Sequence, residues 1–211
     1  MVIKLVYICQ KNKKNMKKAG IVLFASIAVL VASCSTEPVT YTLDQKASSL
    51  EWAANMGPDY GHTGTVDITE GSIEMHDDVL KSGSFTIDMN TVKSTDLEEP
   101  KAGYLAAHIM GTAPDEQHPV DLFFNSPKFP TITVKLGEYK DGKLNLTLSI
   151  IGKKLEQEVA VKLTSNEKGA TIKGDFSLDM TSLNIPGFQV GPDGSQINPI
   201  VDFKLNAKLT K

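Results

Sequence analysis

From Tyr41 onward, apolar side chains recur at every second position in stretch after stretch, and this period confines most of the chain to β architecture. The alternating stretches are 41–44, 49–53, 63–68, 72–75, 80–92, 132–139, 144–151, 156–164, 170–180 and 199–209. Glu70-Gly71 is expected to turn the chain between two of them, and Lys140-Asp141-Gly142 and residues 166–169 carry further turn signals. Gly83, inside an alternating run, predicts a bulge or a close approach of neighbouring groups. The rhythm breaks over 94–130, where 96–110 has apolar spacing compatible with a short helix, weakened by Pro100 and Gly103. Residues 185–197 are rich in Gly and Pro and read as irregular. Roughly eight or nine evenly spaced antiparallel strands predict an all-β sandwich or closed barrel with one short helical insertion. A barrel of about eight strands is just wide enough to hold one small ligand.

Ahead of the strands, Lys17 and Lys18 precede an apolar run over 19–32 that ends in Val31-Ala32-Ser33-Cys34. A positive start, a short apolar core and a small-residue end are the parts of a secretory signal. The run is about 14 to 15 residues, short of the roughly 20 that span a bilayer. Its end resembles a bacterial lipobox, which implies cleavage before Cys34 and acylation of that residue, with palmitate-type chains, as the lipid attachment site. The expected organisation is a signal peptide over 1–33, a lipidated tether over 34–40 and one domain over 41–211. Residues 1–15 precede a complete signal, so Met16 is an alternative start. Ser35 is not the aspartate that retains lipoproteins at the inner membrane, so the expected location is the bacterial cell envelope, lipid-anchored at the outer membrane.

Removing residues 1–33 takes away six lysines and no acid, so 22 lysines fall to 16 against 25 Asp and Glu, a net −9. With no arginine, so acidic a chain has no guanidinium to fork onto phosphates, and nucleic acid is not an expected partner. Cys9 lies before the signal and Cys34 is the lipid site, which leaves the domain no disulfide and no thiol nucleophile. The four histidines, His62, His76, His108 and His118, lack metal-ligand spacing, so no metal is expected. The adjacent pairs Asp77-Asp78 and Glu98-Glu99 point to opposite faces if extended and make no dyad. No nucleophile elbow or phosphate loop is present, and no catalytic residue is assigned.

Several segments, in order, resemble the YceI-like family. They are Tyr41-Thr42-Leu43-Asp44 with Leu50-Glu51-Trp52, His62-Thr63-Gly64 with Gly71-Ser72-Ile73, and Gly83-Ser84-Phe85 with Asp96. Asp121-Leu122-Phe123-Phe124 with Phe129-Pro130, Ile150-Ile151-Gly152-Lys153, and Gly174-Asp175-Phe176 with Leu183-Asn184-Ile185 follow. The resemblance implies a single extended, lipocalin-like antiparallel β-barrel that holds an isoprenoid or fatty-acyl chain. The lack of arginine near Asp179-Met180-Thr181 departs from relatives, and either His108 or His118 matches the family's histidine before the aromatic pair.

Trp52, Phe85, Ile87, Phe123, Phe129, Leu148, Phe176 and Phe203 are the candidate cavity lining, with His62 and His108 as candidate polar contacts. Periodicity alone does not separate lining from filled core. The expected function is a membrane-anchored binder or carrier of one apolar ligand, with no catalysis and no cofactor other than a bound polyisoprenoid or fatty-acyl lipid. The alternative is a cell-surface adhesion or assembly module that uses 94–130. The oligomeric state is left open, a dimer included.

Overall fold

The computed structural model describes residues 37–57, 60–116, 118–191, 194 and 196–211. The expected signal peptide, the alternative start at Met16 and the lipid site Cys34 lie outside the described residues. The strands are β1 (Val39–Leu43), β2 (Ser49–Asn55), β3 (Gly61–His76), β4 (Val79–Ser94), β5 (Thr131–Lys140), β6 (Lys143–Ile150), β7 (Lys153–Ala160), β8 (Lys162–Asn166), β9 (Gly169–Asp179) and β10 (Ile200–Thr210). One helix, α1 (Lys101–Met110), stands between β4 and β5. Pro100 sits at its N-cap, where no N–H is needed and its carbonyl accepts from the Tyr104 N–H at 3.0 Å, and left-handed Gly111 (φ 72°) ends it. β1 starts at Val39, so the last two residues of the expected tether are already strand.

All pairings are antiparallel, in the order β7-β6-β5-β4-β3-β1-β10-β9-β8. β2 continues the line of β1 between β3 and β10: Val39 pairs with Met75, whereas Trp52 pairs with both Gly64 and Phe203. The two ends of this order, β7 and β8, are consecutive strands broken only at Val161. The stretch 156–164 is therefore two strands, and the sheet curls until its ends meet. At this seam the Gln157 side chain accepts from the Asp179 N–H at 3.1 Å, and the Lys153 ammonium donates to the Leu183 carbonyl. The result is an all-β, closed antiparallel barrel with one helical insertion.

Glu70-Gly71 is not a turn. β3 runs through it for 16 residues, and the hairpin turns at Asp77 and Asp78, both at positive φ. A register shift between Ile68 and Glu70 is the physical reason. Before it the buried positions are 64, 66 and 68; after it they are 73 and 75. One extra residue moves the inward set from even to odd numbers, which in sequence looks like an interruption. Gly71 is small because the Phe85 ring lies over it: an added Cβ would sit 2.0 Å from that ring. Gly83 is a close approach, its missing Cβ being 2.8 Å from Leu136 Cδ1.

The two ends of the barrel differ. Around the β3–β4, β5–β6 and β8–β9 turns the interior is plugged by Tyr41, Ile73, Met75, Leu80 and Leu209, all buried. Two tyrosines lock this end: Tyr41 donates to the Asn166 carbonyl and Tyr139 to the Val161 carbonyl. At the other end α1, the segment after it and the β9–β10 connection form a cover. The Phe123 and Phe188 rings meet edge-on at 5.7 Å, and the Gly187 N–H donates to the Leu122 carbonyl at 2.7 Å.

Candidate ligand cavity

Between plug and cover lies a cavity of about 680 Å³. Its walls are inward strand residues: Val66 and Ile68 from β3, Phe85, Ile87 and Met89 from β4, Val134 and Leu136 from β5, Leu146 and Leu148 from β6, and Phe176 and Leu178 from β9. Trp52, Phe203 and Phe176 occupy paired positions on adjacent β2, β10 and β9, so their rings form one row. Phe176 and Phe203 stack at 6.1 Å. Both are only half-buried although they point inward, as are Ile87, Leu136 and Leu205. An inward side chain that keeps accessible surface faces a void, and this separates lining from filled core.

Polar side chains join the lining at one end only. Asn55, Tyr60, His62, Lys101, Tyr104 and His108 gather where the β2–β3 connection faces α1. Tyr60 and Tyr104 are more than half exposed and flank the mouth. The His62 Nδ1 lies 2.8 Å from the Asp96 carboxylate, and the Tyr60 hydroxyl is 3.1 Å from His62 Nε2. Burial by itself pushes the Asp96 carboxyl up, but bonds from His62, the Thr63 amide and Ser94 outweigh it and hold the group below its usual 3.8.

On the opposite lip the His108 and His118 rings stand 3.9 Å apart. His118 is fixed by Asp115, 2.9 Å from its Nδ1, and lies 3.3 Å from the Tyr104 hydroxyl. Burial, and then the charge of His118, pushes the His108 imidazole below its ordinary 6.5. Its Nε2 is enclosed and has no hydrogen-bond partner within the protein. The two histidines that sequence left as alternatives thus meet, with His108 in the lining and His118 behind it.

Of the expected lining residues, Trp52, Phe85, Ile87, Phe123, Leu148, Phe176 and Phe203 stand in the wall, and His62 and His108 at the mouth. Phe129 is a correction. It does not line the cavity but packs outside, 3.3 Å from where a Cβ on Gly152 would be, with Lys128 Nζ 5.1 Å from its ring centre. Phe129 follows a turn fixed by the Asn125 carbonyl, which accepts its N–H, and this directs it past the rim. Sequence reading missed Tyr60, Tyr104, Phe188 and Ile197, which lie in irregular segments or on a helix where the period of two gives no signal. Among the described residues, no group of three or more potential metal ligands is present.

The YceI-like domain family matches residues 41–209. The chain belongs to the YceI-like family. No curated protein matches it. Among solved structures it is similar to BcnA of Burkholderia cenocepacia, with 17% identity, a TM-score of 0.61, and coverage of 80% of this chain and 99% of that one. It is also similar to a polyisoprenoid binding domain from Saccharophagus degradans implicated in plant cell wall breakdown. That match has 14% identity, a TM-score of 0.54, and coverage of 81% of this chain and 97% of that one. At these identities the likeness concerns the fold, and the chain shares the lipocalin-like barrel of its YceI relatives.

Proposed function

We propose that this YceI-like barrel binds and carries one isoprenoid- or fatty-acyl-type chain, and that a lipid on Cys34 holds it at the bacterial outer membrane. The observation that carries this reading is the cavity of about 680 Å³, walled by apolar side chains and polar only at its mouth. Each Å² of apolar ligand surface withdrawn from water contributes about 25 cal/mol, so a long chain is held without directional chemistry along its length. The mouth, with the enclosed His108 Nε2 and the His62–Asp96 pair, suits a polar head group. The relative from Saccharophagus degradans, a polyisoprenoid binding domain, supports the ligand class. The barrel acts by binding: its wall is apolar and its polar side chains are confined to the mouth. Segment 94–130 serves the cavity, since Leu105, His108, Ile109, Phe123 and Phe124 all line it.

Native mass spectrometry of the protein purified without detergent, paired with organic extraction, tests this. A solvent-releasable species of a few hundred daltons, identified as a polyprenyl or acyl chain, is expected. A clean apo mass with no uptake of added isoprenoid or fatty acid overturns the carrier reading. Intact mass of the membrane form tests the anchor, which requires acyl chains on Cys34.

A further inference from the structure

We infer that the cavity exchanges its ligand on the side turned away from the bilayer that holds the anchor. This rests on the anchored-carrier reading above. The tether enters the barrel at its plugged end, where Val39 pairs with Met75 beside the turn at Asp77 and Asp78. From there β1 and β2 climb alongside β3 to the mouth, where Asn55 pairs with Gly61. β3 is 16 residues long. At about 3.3 Å per residue, and tilted by about 40° as barrel strands are, it separates plug from mouth by roughly 40 Å. The five residue steps from Cys34 to Val39 reach at most about 18 Å when fully extended. An anchor at Cys34 therefore does not bring the mouth to its own membrane while the barrel stands upright.

Charge favours the upright orientation. Residues 95–130, which cover the mouth end, carry six acids against two lysines. The turns and terminus at the tether end are closer to balance, with Lys81, Lys140, Lys143, Lys162, Lys168 and Lys211 against Asp77, Asp78, Asp141 and Glu167. An anionic leaflet repels the acidic cover more strongly than it repels the near-balanced tether end. Nor does the tether end offer a second way in, because Ile73, Met75 and Leu209 fill it and none of them lines the cavity. A chain that reaches this cavity comes from a donor on the aqueous side and does not slide in from the bilayer beneath.

The test uses the full-length acylated protein in phosphatidylcholine–phosphatidylglycerol vesicles. With Cys34 acylated, thiol labels report single positions in Lys168→Cys at the tether end and Val120→Cys at the mouth end. Energy transfer to a headgroup-labelled lipid is expected to be several-fold stronger from position 168 than from 120. In a second arm, cis-parinaric acid preloaded into the cavity is followed as it leaves for the anchoring bilayer. A Gly/Ser insert of about 20 residues after Ser35 extends the reach to roughly 27 Å r.m.s., and is expected to raise that rate several-fold. Equal transfer from the two labels, or a native tether that already matches the extended one, overturns the inference. An unacylated Cys34 by mass removes the anchored reading and this inference together, whereas failure with an acylated Cys34 removes this inference alone.

Discussion

Gly64 sits where three strands come together. A Cβ there would lie 1.9 Å from the Lys93 carbonyl oxygen and 2.3 Å from the Trp52 ring. Gly64→Ala is expected to cost about 1–3 kcal/mol through overpacking, read as a lower urea midpoint with unchanged slope. Lining and plug residues are expected to separate on truncation. Ile73, 1% exposed in the plug, should lose about 2–5 kcal/mol as Ile73→Ala and leave ligand affinity unaltered. Phe203 already faces a void on one side, so Phe203→Ala should cost less than the roughly 3–5 kcal/mol usual for a filled core and should weaken chain binding instead. Comparable stability losses without any affinity change for Phe203→Ala would contradict its assignment to the wall. His108 supplies a pH dependence. Its folded value is below the ordinary 6.5, so protons bind better to an opened cover than to the packed one. The stability it contributes is complete above about pH 6.5 and declines as pH falls through the depressed folded value. Protection factors in α1, corrected for the pH dependence of intrinsic amide exchange, should be lower at pH 5.5 than at 7.5, and His108→Phe should flatten that difference. Asp96 contributes in a lower window, present above 3.8 and lost as pH falls through its depressed folded value.

Among the elements, the seam differs from every other junction. Neighbouring strands elsewhere are joined by backbone ladders, whereas β7 meets β9 through side chains, with the Gln157 amide group exchanging bonds with the Asp179 backbone. Two side-chain bonds contribute about 1 kcal/mol each against water, less than a continuous ladder, so this is where the barrel opens most readily. Gln157→Ala is expected to raise amide exchange at Asp179, where its partner is lost, and to leave β3 and β4 unchanged; uniform acceleration across all strands would mean that the seam is not a local weak point. The cover is a second distinct element. The N-cap residue of α1, Pro100, makes no side-chain bond, the Glu99 carboxylate accepts from the Gly103 N–H at 3.2 Å, and the two buried residues of the helix are the small Ala102 and Ala106. Its hold on the barrel comes through half-buried Leu105, Ile109 and Met110, which pack against the core, and through Phe123, packed against both His108 and Phe188.

The molecule as a whole is a barrel with an open volume where a larger core would otherwise stand, so its stability is expected to depend on occupancy. A ligand that binds only the folded state at 100 times its Kd adds about 2.7 kcal/mol. For a domain of this size each kcal/mol shifts Tm by about 2–4 °C, so filling the cavity should raise Tm by roughly 5–10 °C. A fatty acid or polyprenol titrated into delipidated protein checks this by calorimetry, and an unchanged Tm at saturating ligand would contradict occupancy of the interior.

The period-two pattern determined the all-β class and the inward side of strands that carry Trp52, Ile87 and Phe176, turn residues marked Asp141-Gly142, and helical spacing marked the short helix before the aromatic pair. Those features are legible because a strand exposes alternate faces wherever it lies, and because turn residues act locally. The order of family segments indicated the barrel type. What the sequence could not carry was decided by contacts distant along the chain. The bulge after Ile68 reversed which positions face inward, and Phe129 left the wall because Asn125 fixed its turn. His108 and His118 met, and Tyr60 and Tyr104 both reached the mouth, through the folding of segments without a period of two. Periodicity reports which side of a strand is buried; only the closed barrel determines whether that side meets another side chain or empty space.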